Sequence, residues 1–166
     1  MTSAGAARID VAGHETHVGT GVVVLDHLLE ELANAGGFGL RLEIAPDEPE
    51  AEVERAGRAL GEALLSVPGV EGAGRGFGIA PADEALAMVV LEASGRPCVF
   101  SNVDLTSTRA GGLRIDLAAT FLDELAGASG LTIHVRLLEG DNSQHVLSAI
   151  FKALGIALAQ ATKGDA

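Results

Sequence analysis

The spacing of apolar residues changes several times along the chain, and each change predicts a new structural element. Residues 8–11 and 15–18 alternate polar with apolar side chains on either side of Ala12-Gly13, a pattern typical of a short β-hairpin. From Val22 the apolar residues recur every three or four positions until Gly36-Gly37, which predicts an amphipathic helix with a glycine stop.

The rest of the first half predicts a strand followed by a second helix. Residues 38–44 alternate again, and apolar side chains between residues 53 and 67 form a helical stripe that ends at Pro68-Gly69. Residues 70–81 are rich in glycine, so we interpret them as a connector between two halves of one domain.

The second half repeats this order of elements. Two runs rich in β-branched residues, 84–93 and 97–105, flank Ser94-Gly95-Arg96-Pro97 and predict another hairpin. A helix over about residues 113–126, a strand over residues 131–138 and a last helix capped by Asn142 or Ser143 complete the second half.

Each half therefore consists of a hairpin, a helix, a strand and a helix, which indicates an internal duplication. We expect a single domain over residues 1–166, with the repeat at about residues 8–69 and 75–162. The simplest architecture is an α+β fold in which the strands of each half form a sheet with helices packed on one face.

Composition narrows the classes of function. Hydrophobic residues make up 48% of the chain and the formal net charge is −12, which argues against disorder and against a nucleic-acid surface. We identify no apolar run of the roughly 18 residues that a membrane span needs, so we expect a cytoplasmic protein without a membrane partner. The only cysteine, Cys98, precedes Val-Phe and is interpreted as a packing residue.

Five segments, in order, carry a resemblance to a known family. They are Thr20-Gly-Val-Val-Val-Leu-Asp-His-Leu-Leu, Pro81-Ala-Asp-Glu-Ala-Leu-Ala, Ser94-Gly-Arg-Pro, Gly130-Leu-Thr-Ile-His-Val and Gly140-Asp-Asn-Ser-Gln-His-Val-Leu-Ser-Ala-Ile-Phe-Lys-Ala. Each resembles a signature of the imidazoleglycerol-phosphate dehydratases. The resemblance implies a duplicated α+β fold, a large cubic homo-oligomer, and dehydration of imidazole glycerol phosphate in histidine synthesis.

The resemblance also implies two manganese ions per site, held between subunits. In that family each half supplies a His near the start of its first helix and a His-His-x-x-Glu run at the start of its second helix. The first His and the Glu of this run are separated by four residues and share one helical face, whereas the middle His points to another face.

This chain departs from the family's ligand pattern. The corresponding positions fall into two sets according to the helical face on which they lie. One set keeps groups able to bind a metal, namely His27, Glu50, Glu54 and His145. The pseudo-symmetric set has lost every strong ligand, namely Ala51, Thr120, Gln144 and Ser148. The resemblance then implies either one divalent metal, Mn²⁺ by the family's example, or none. The glutamates could equally be acidic residues of a first helical turn, and the histidines could be surface residues.

Three cations match the family's phosphate-binding positions: Arg75, Arg96 and Lys152. Lys152 follows His145 by seven residues, which places both side chains on the same helical face. Alternatively, Arg96 lies at the tip of a hairpin and Lys152 extends along the apolar stripe of its helix.

Asp83 and Glu84 form the best-preserved acidic pair. Either could act as a catalytic acid or base if burial raised its pKa, or the pair could cap or ion-pair the entrance of a strand.

Two hypotheses of different classes follow. In the first, the protein is a divergent dehydratase that acts on imidazole glycerol phosphate, or performs a related lyase step on another phosphorylated small molecule, with its two-metal site degraded. In the second, it is a non-catalytic homologue with a structural or metabolite-sensing role. Both predict a homo-oligomer and binding of a phosphorylated small molecule.

Overall fold

The structure, a computed structural model, describes residues 5–67, 74–104, 109–110 and 113–162. The strands are β1 (Gly5–Asp10), β2 (Thr16–Gly19), β3 (Gly39–Ile44), β4 (Arg75–Ala82), β5 (Ala85–Glu92), β6 (Cys98–Ser101), β7 (Arg109–Ala110), β8 (Leu113–Arg114) and β9 (Thr132–Glu139). The helices are α1 (Val23–Gly36), α2 (Pro49–Leu65), α3 (Ile115–Ser129) and α4 (Ser143–Thr162).

The first sheet contains β1, β3 and β2 in that order, with β3 antiparallel to β1 and parallel to β2. The predicted hairpin between residues 8–11 and 15–18 is therefore wrong in its pairing. Both segments are strands, but β3 lies between them. On β3, Leu40, Leu42 and Ile44 are buried while Arg41 and Glu43 are exposed, so this sheet has one covered and one open face.

The second sheet contains β4, β5, β9 and β6 in that order. Here the hairpin predicted between residues 84–93 and 97–105 is also wrong, because β9 separates β5 from β6. The true hairpin joins β4 to β5, and β4 lies in the segment that we interpreted as a connector. Cys98 is exposed on β6, so its interpretation as a packing residue is wrong too.

The helices lie between the two sheets. α1 and α2 contact strands of the first sheet, α4 contacts strands of the second, and the helices pack on each other as the pairs α1–α4 and α2–α3. Buried apolar residues from both halves form one hydrophobic cluster. The α+β class with helices on one face of each sheet is confirmed, and the repeat boundaries stay a prediction.

Close approach between α1 and α4 depends on a glycine. A Cβ at Gly155 of α4 would collide with the backbone carbonyl oxygen of Leu32 in α1, and backbone cannot move aside as a flexible side chain can. By length and composition α4 meets the criteria for a membrane span. Most of its apolar residues are buried inside the fold, however, as in a core helix.

Candidate active site

A two-residue turn joins β4 to β5 and carries both acidic residues that the sequence singled out. Ala82 pairs with Ala85 across the hairpin, which leaves Asp83 and Glu84 as the turn. Asp83 has a φ of 51°, a left-handed conformation that Asp tolerates better than most residues other than glycine. Both side chains are exposed at this end of the sheet.

The start of α4 is fixed to this turn by hydrogen bonds. The side-chain oxygen of Asn142 accepts hydrogen bonds from the backbone N–H groups of Gln144, at 3.0 Å, and His145, at 3.1 Å, so Asn142 is the N-cap. The backbone N–H of Asn142 in turn donates to Glu84 Oε1 at 3.0 Å. The hairpin and the helix therefore hold each other in place.

His145 lies between the two carboxylates. Its Nδ1 is 2.7 Å from Glu84 Oε2, and its Nε2 is 3.3 Å from Asp83 Oδ2. The exposed fraction of the His145 side chain is 36%, against 73% for Asp83, so solvent or a ligand can reach part of the ring. The structure thus brings together three of the predicted site residues.

The electrostatics of the site keep Glu84 ionised. The hydrogen bond from the Asn142 backbone N–H, followed by that from His145, lowers the pKa of Glu84 to about 2. The condition that we set for an acid or base role, a pKa raised by burial, is therefore not met at Glu84. An ionised carboxylate that accepts from Nδ1 suits the orienting of an imidazole ring.

Lys152 lies beside the same hairpin, two helical turns beyond His145. Its Nζ donates to the backbone carbonyl of Pro81 at 3.4 Å, and its side chain is partly buried against the fold. Lys152 thus places one cation beside this acidic turn.

Arg75 and Arg96 lie at the opposite end of the second sheet. Arg75 Nη2 is 3.8 Å from Glu92 Oε1, its partner across β4 and β5, and Arg96 follows shortly after β5. Arg75 and Pro81 are six residues apart on one strand, a span of about 20 Å. A single chain therefore does not bring Lys152 and these two arginines onto one phosphate group, and their phosphate-binding roles stay predictions.

The remaining predicted metal ligands lie on α1 and α2. His27 is exposed, and its Nε2 is 3.0 Å from Glu31 Oε1 on the next turn of α1. Glu50 and Glu54 occupy the exposed face at the start of α2. At this helix end the N-cap residue, Glu48, makes no side-chain capping hydrogen bond to the described chain.

Comparison with known families places this geometry in context. The family model described as imidazoleglycerol-phosphate dehydratase matches residues 20–158, a range that contains His27, the Asp83-Glu84 turn and all of α4 up to Leu158. The chain belongs to the imidazoleglycerol-phosphate dehydratase family.

Curated relatives of this dehydratase family match almost the whole chain. The imidazoleglycerol-phosphate dehydratase of Pelobacter propionicus is 40% identical over 163 residues, which cover 95% of this chain and 83% of that protein. The enzyme of Candida glabrata is 41% identical over 156 residues, covering 90% of this chain and 73% of that protein.

Solved dehydratase structures share the fold. The crystal structure from Pyrococcus furiosus, in complex with (S)-C348, matches with a TM-score of 0.85 and 32% sequence identity, covering 99% of this chain and 93% of that one. The structure from Staphylococcus aureus matches with a TM-score of 0.82 and 31% identity, covering 93% and 91% of the two chains.

The manganese that the dehydratase resemblance implies does not fit the residues of one chain. In the described part of the chain, no group of three or more His, Cys, Asp or Glu side chains is arranged to hold a metal ion. The two ring nitrogens of His145 face different carboxylates on opposite edges of the ring, so Asp83, Glu84 and His145 do not converge on one point. The ligand set of His27, Glu50, Glu54 and His145 stays a prediction.

Sequence reasoning did not foresee two contacts, one at His27 and one at the start of α4. Glu31 lies four residues after His27, so the spacing i, i+4 could have indicated their contact. Asn142 was expected as a cap, but its backbone bond to Glu84 joins residues 58 positions apart, and no local pattern reveals such a pair.

Proposed function

We propose that this protein binds a phosphorylated small molecule and dehydrates imidazole glycerol phosphate, or performs a related lyase step, at the start of α4. One observation carries the proposal: His145 lies between Asp83 and Glu84, and its side chain is partly exposed. Its relatives in the dehydratase family bear the name of that reaction.

The geometry suits proton transfer by a histidine. Dehydration removes a proton from one carbon and a hydroxyl group from its neighbour, so it needs a base and an acid. With ionised Glu84 accepting from Nδ1, the Nε2 atom of His145 becomes the nitrogen that exchanges a proton with a ligand or with Asp83. We assign Glu84 to orienting the ring and Asp83 to accepting a hydrogen bond from Nε2 when that nitrogen carries the proton. Nε2 takes the proton from carbon and returns it to the hydroxyl group, which leaves as water.

The substrate's phosphate group is proposed to bind near Lys152. This ammonium lies on the same side of α4 as His145 and next to the turn that holds the two carboxylates. A charge-assisted hydrogen bond to phosphate is among the stronger polar interactions. Arg75 and Arg96 would join such a site only from another copy of the chain, because about 20 Å of strand separates them from Lys152 in one chain.

We further propose that the family's two-metal site is reduced here to one divalent ion or to none. Two observations support the loss of the second set of ligands. The hydroxyl group of Thr120 donates to the Asp116 carbonyl in its own helix, and Ser148 is buried. No step of the proposed proton transfer depends on a metal.

Self-association and a cytoplasmic location complete the proposal. The family resemblance supports a homo-oligomer, and the division of the predicted phosphate-binding residues between two ends of the sheet is consistent with sites shared between copies.

The test is product formation from imidazole glycerol phosphate, measured together with metal content by elemental analysis. We expect turnover in the wild-type protein, with one divalent ion or none per chain. If one ion is present, it should be lost when Glu54 and His145 are both changed to Ala. A folded protein that forms no product, even after incubation with Mn²⁺, would contradict the catalytic assignment.

A specific observation favours a second candidate, the non-catalytic homologue. The four predicted ligands do not meet within the described residues of one chain, whereas a cation and a histidine remain beside an accessible turn. This candidate predicts binding of imidazole glycerol phosphate without turnover, which calorimetry combined with the product assay would detect.

A further inference from the structure

We propose that Thr132 and Ser94 are positioning residues, which hold the backbone of Arg96 so that its guanidinium group is presented to the phosphate group of a substrate. Arg96 lies in the loop of residues 93–97 between β5 and β6. This inference rests on the proposed phosphate site, to which Arg96 would belong from another copy of the chain. Thr132 and Ser94 act through Arg96 and do not contact the ligand themselves.

The loop of residues 93–97 passes over the start of β9, which lies between β5 and β6 in the sheet. The first residue of β9 is Thr132. Its register partners are Glu92, the last residue of β5, and Cys98, the first residue of β6. Thr132 therefore lies midway between the two ends of the loop.

Two hydroxyl groups bind the peptide groups on both sides of Arg96. The backbone N–H of Arg96 donates to Ser94 Oγ at 3.0 Å, and Thr132 Oγ1 donates to the Arg96 carbonyl oxygen at 2.8 Å. The two hydroxyl oxygens are 2.6 Å apart. Because a hydroxyl group has one proton and Thr132 donates its own to the carbonyl, Ser94 donates in the contact between the hydroxyl groups. The four groups thus form a closed ring of hydrogen bonds.

The neighbours of Arg96 in the sequence restrict its backbone further. Pro97 follows it, and a residue before proline is excluded from most of the α region. Gly95 precedes it with a φ of 74°, a left-handed conformation that glycine adopts without strain. The backbone N–H of Gly95 also donates to the carbonyl of Gly130 at 3.1 Å. The loop therefore determines the direction in which the Arg96 side chain leaves the backbone.

The guanidinium group of Arg96, in contrast, is left available. It is exposed, and it forms no ion pair or hydrogen bond with another described residue. Arg75, at the same end of the sheet, pairs instead with Glu92. A cation without a carboxylate partner on a rigid backbone loses little conformational entropy when it binds phosphate in its planar, bidentate geometry.

Thr16 in the first sheet offers a matched control for Thr132. Each threonine is the first residue of its strand. The hydroxyl group of Thr16, however, is buried without a hydrogen-bond partner among the described residues. Replacement of Thr16 by valine therefore removes a hydroxyl group from a strand without breaking a hydrogen bond of the described chain.

The test is the dissociation constant of imidazole glycerol phosphate, measured by isothermal titration on the assembled protein. We expect Thr132→Val to weaken binding about fivefold, because valine suits a strand but has no hydroxyl group. Thr132→Ser, which keeps the hydroxyl group, and Thr16→Val should both stay within about twofold of wild type. Arg96→Ala should weaken binding at least about tenfold. Circular dichroism checks that each variant is folded.

The double variant Thr132→Val/Arg96→Ala separates positioning from a general structural effect. If Thr132 acts through Arg96, the double variant should bind as weakly as Arg96→Ala and no more weakly, because the two losses are not additive. A merely structural role of Thr132 would add its own loss of about fivefold.

Three results would overturn the proposal: wild-type affinity in Thr132→Val, the same loss in Thr132→Ser as in Thr132→Val, or additive losses in the double variant. Wild-type affinity in Arg96→Ala would overturn it together with the assignment of Arg96 to the phosphate group. Since the readout is affinity, binding of the substrate without turnover would contradict the proposed dehydration alone.

Discussion

The starts of α2 and α4 are corresponding positions of the predicted internal repeat. Of the two, the start of α4 lies in an organised cluster of polar side chains and the start of α2 does not. Asn142 caps α4 with its side chain, and His145 contacts two carboxylates. At α2 the N-cap residue Glu48 makes no side-chain capping bond to the described chain, and Pro49 occupies the first turn. Glu54 points outward from the exposed face.

An additional strand explains the difference. β4 pairs with the outer side of β5, and its turn brings Asp83 and Glu84 to the first residues of α4. In the first sheet β1 is an edge strand, and no described strand pairs with its outer side. The start of α4 is therefore a candidate site because the neighbouring turn supplies the carboxylate partners of its histidine.

Replacement of His145 should have the largest effect on turnover, and it tests the difference between the starts of α4 and α2. We expect His145→Ala to lower turnover of imidazole glycerol phosphate by about 10²- to 10⁴-fold, the usual contribution of a general acid or base. Glu48→Ala at the start of α2 should leave turnover within about threefold of wild type, because Glu48 is exposed and is not one of the predicted site residues.

Steady-state product assays on both variants measure this pair of effects, with circular dichroism as the control for folding. An equal loss of turnover in Glu48→Ala would show that the start of α2 contributes to the same site.

Removal of the cation on α4 should have the next largest effect. Lys152→Ala is expected to weaken binding of the phosphorylated substrate by roughly ten- to a hundredfold, the value of one hydrogen bond to a charged group. Arg58→Ala on α2 is the control cation, since Arg58 is exposed and forms a surface ion pair with Glu124 away from the site. Isothermal titration with imidazole glycerol phosphate would report both affinities, and similar losses would contradict a specific role of Lys152.

Loss of the N-cap side chains of α4 and α2 should have a smaller effect, which appears in the free energy of unfolding. Asn142→Ala is expected to lower the free energy of unfolding by about 1 kcal/mol, because two backbone N–H groups lose their acceptor. Glu48→Ala should change it by less than about 0.5 kcal/mol. Urea unfolding monitored by circular dichroism measures the free energy of unfolding of both variants. Equal losses would mean that the Asn142 cap stabilises the protein no more than Glu48 does.

The pH dependence of stability should show the smallest effect. The pKa of Glu84 falls from 4.5 to about 2 in the folded protein, so its contribution is complete above pH 4.5 and is lost as the pH falls towards 2. Glu84→Gln should therefore flatten the stability profile between these values. Thermal unfolding of both proteins across that range tests it, and parallel profiles would exclude the Glu84 contacts as the cause.

The sequence predicted elements better than it predicted their pairing. The stripes of α1, α2 and α4 are visible because helical periodicity is local. Strand partners are not local: β3 and β9 each insert between two strands that we expected to form a hairpin. β4 was missed because its glycines, Gly76 and Gly78, made the segment look like a flexible connector. In the structure these glycines allow close packing, since a Cβ at either position would collide with the backbone of α4.

The candidate site shows the same limit, because its contacts join residues that are far apart in the sequence. The resemblance singled out His145, Asp83 and Glu84 separately, but the contact between His145 and Glu84 spans 61 positions and depends on a turn that only the sheet creates. The condition for an acid or base role, a pKa raised by burial, is not met at Glu84 because the turn is exposed and supplies hydrogen-bond donors to the carboxylate.

Histidine ring spectra during a titration with imidazole glycerol phosphate would decide where the ligand binds. The chain has five histidines, and variants of His27 and His145 assign their resonances. If the start of α4 is the working site, the His145 signals shift with the ligand while those of His27 stay in place. Shifts at His27 with none at His145 would contradict this account.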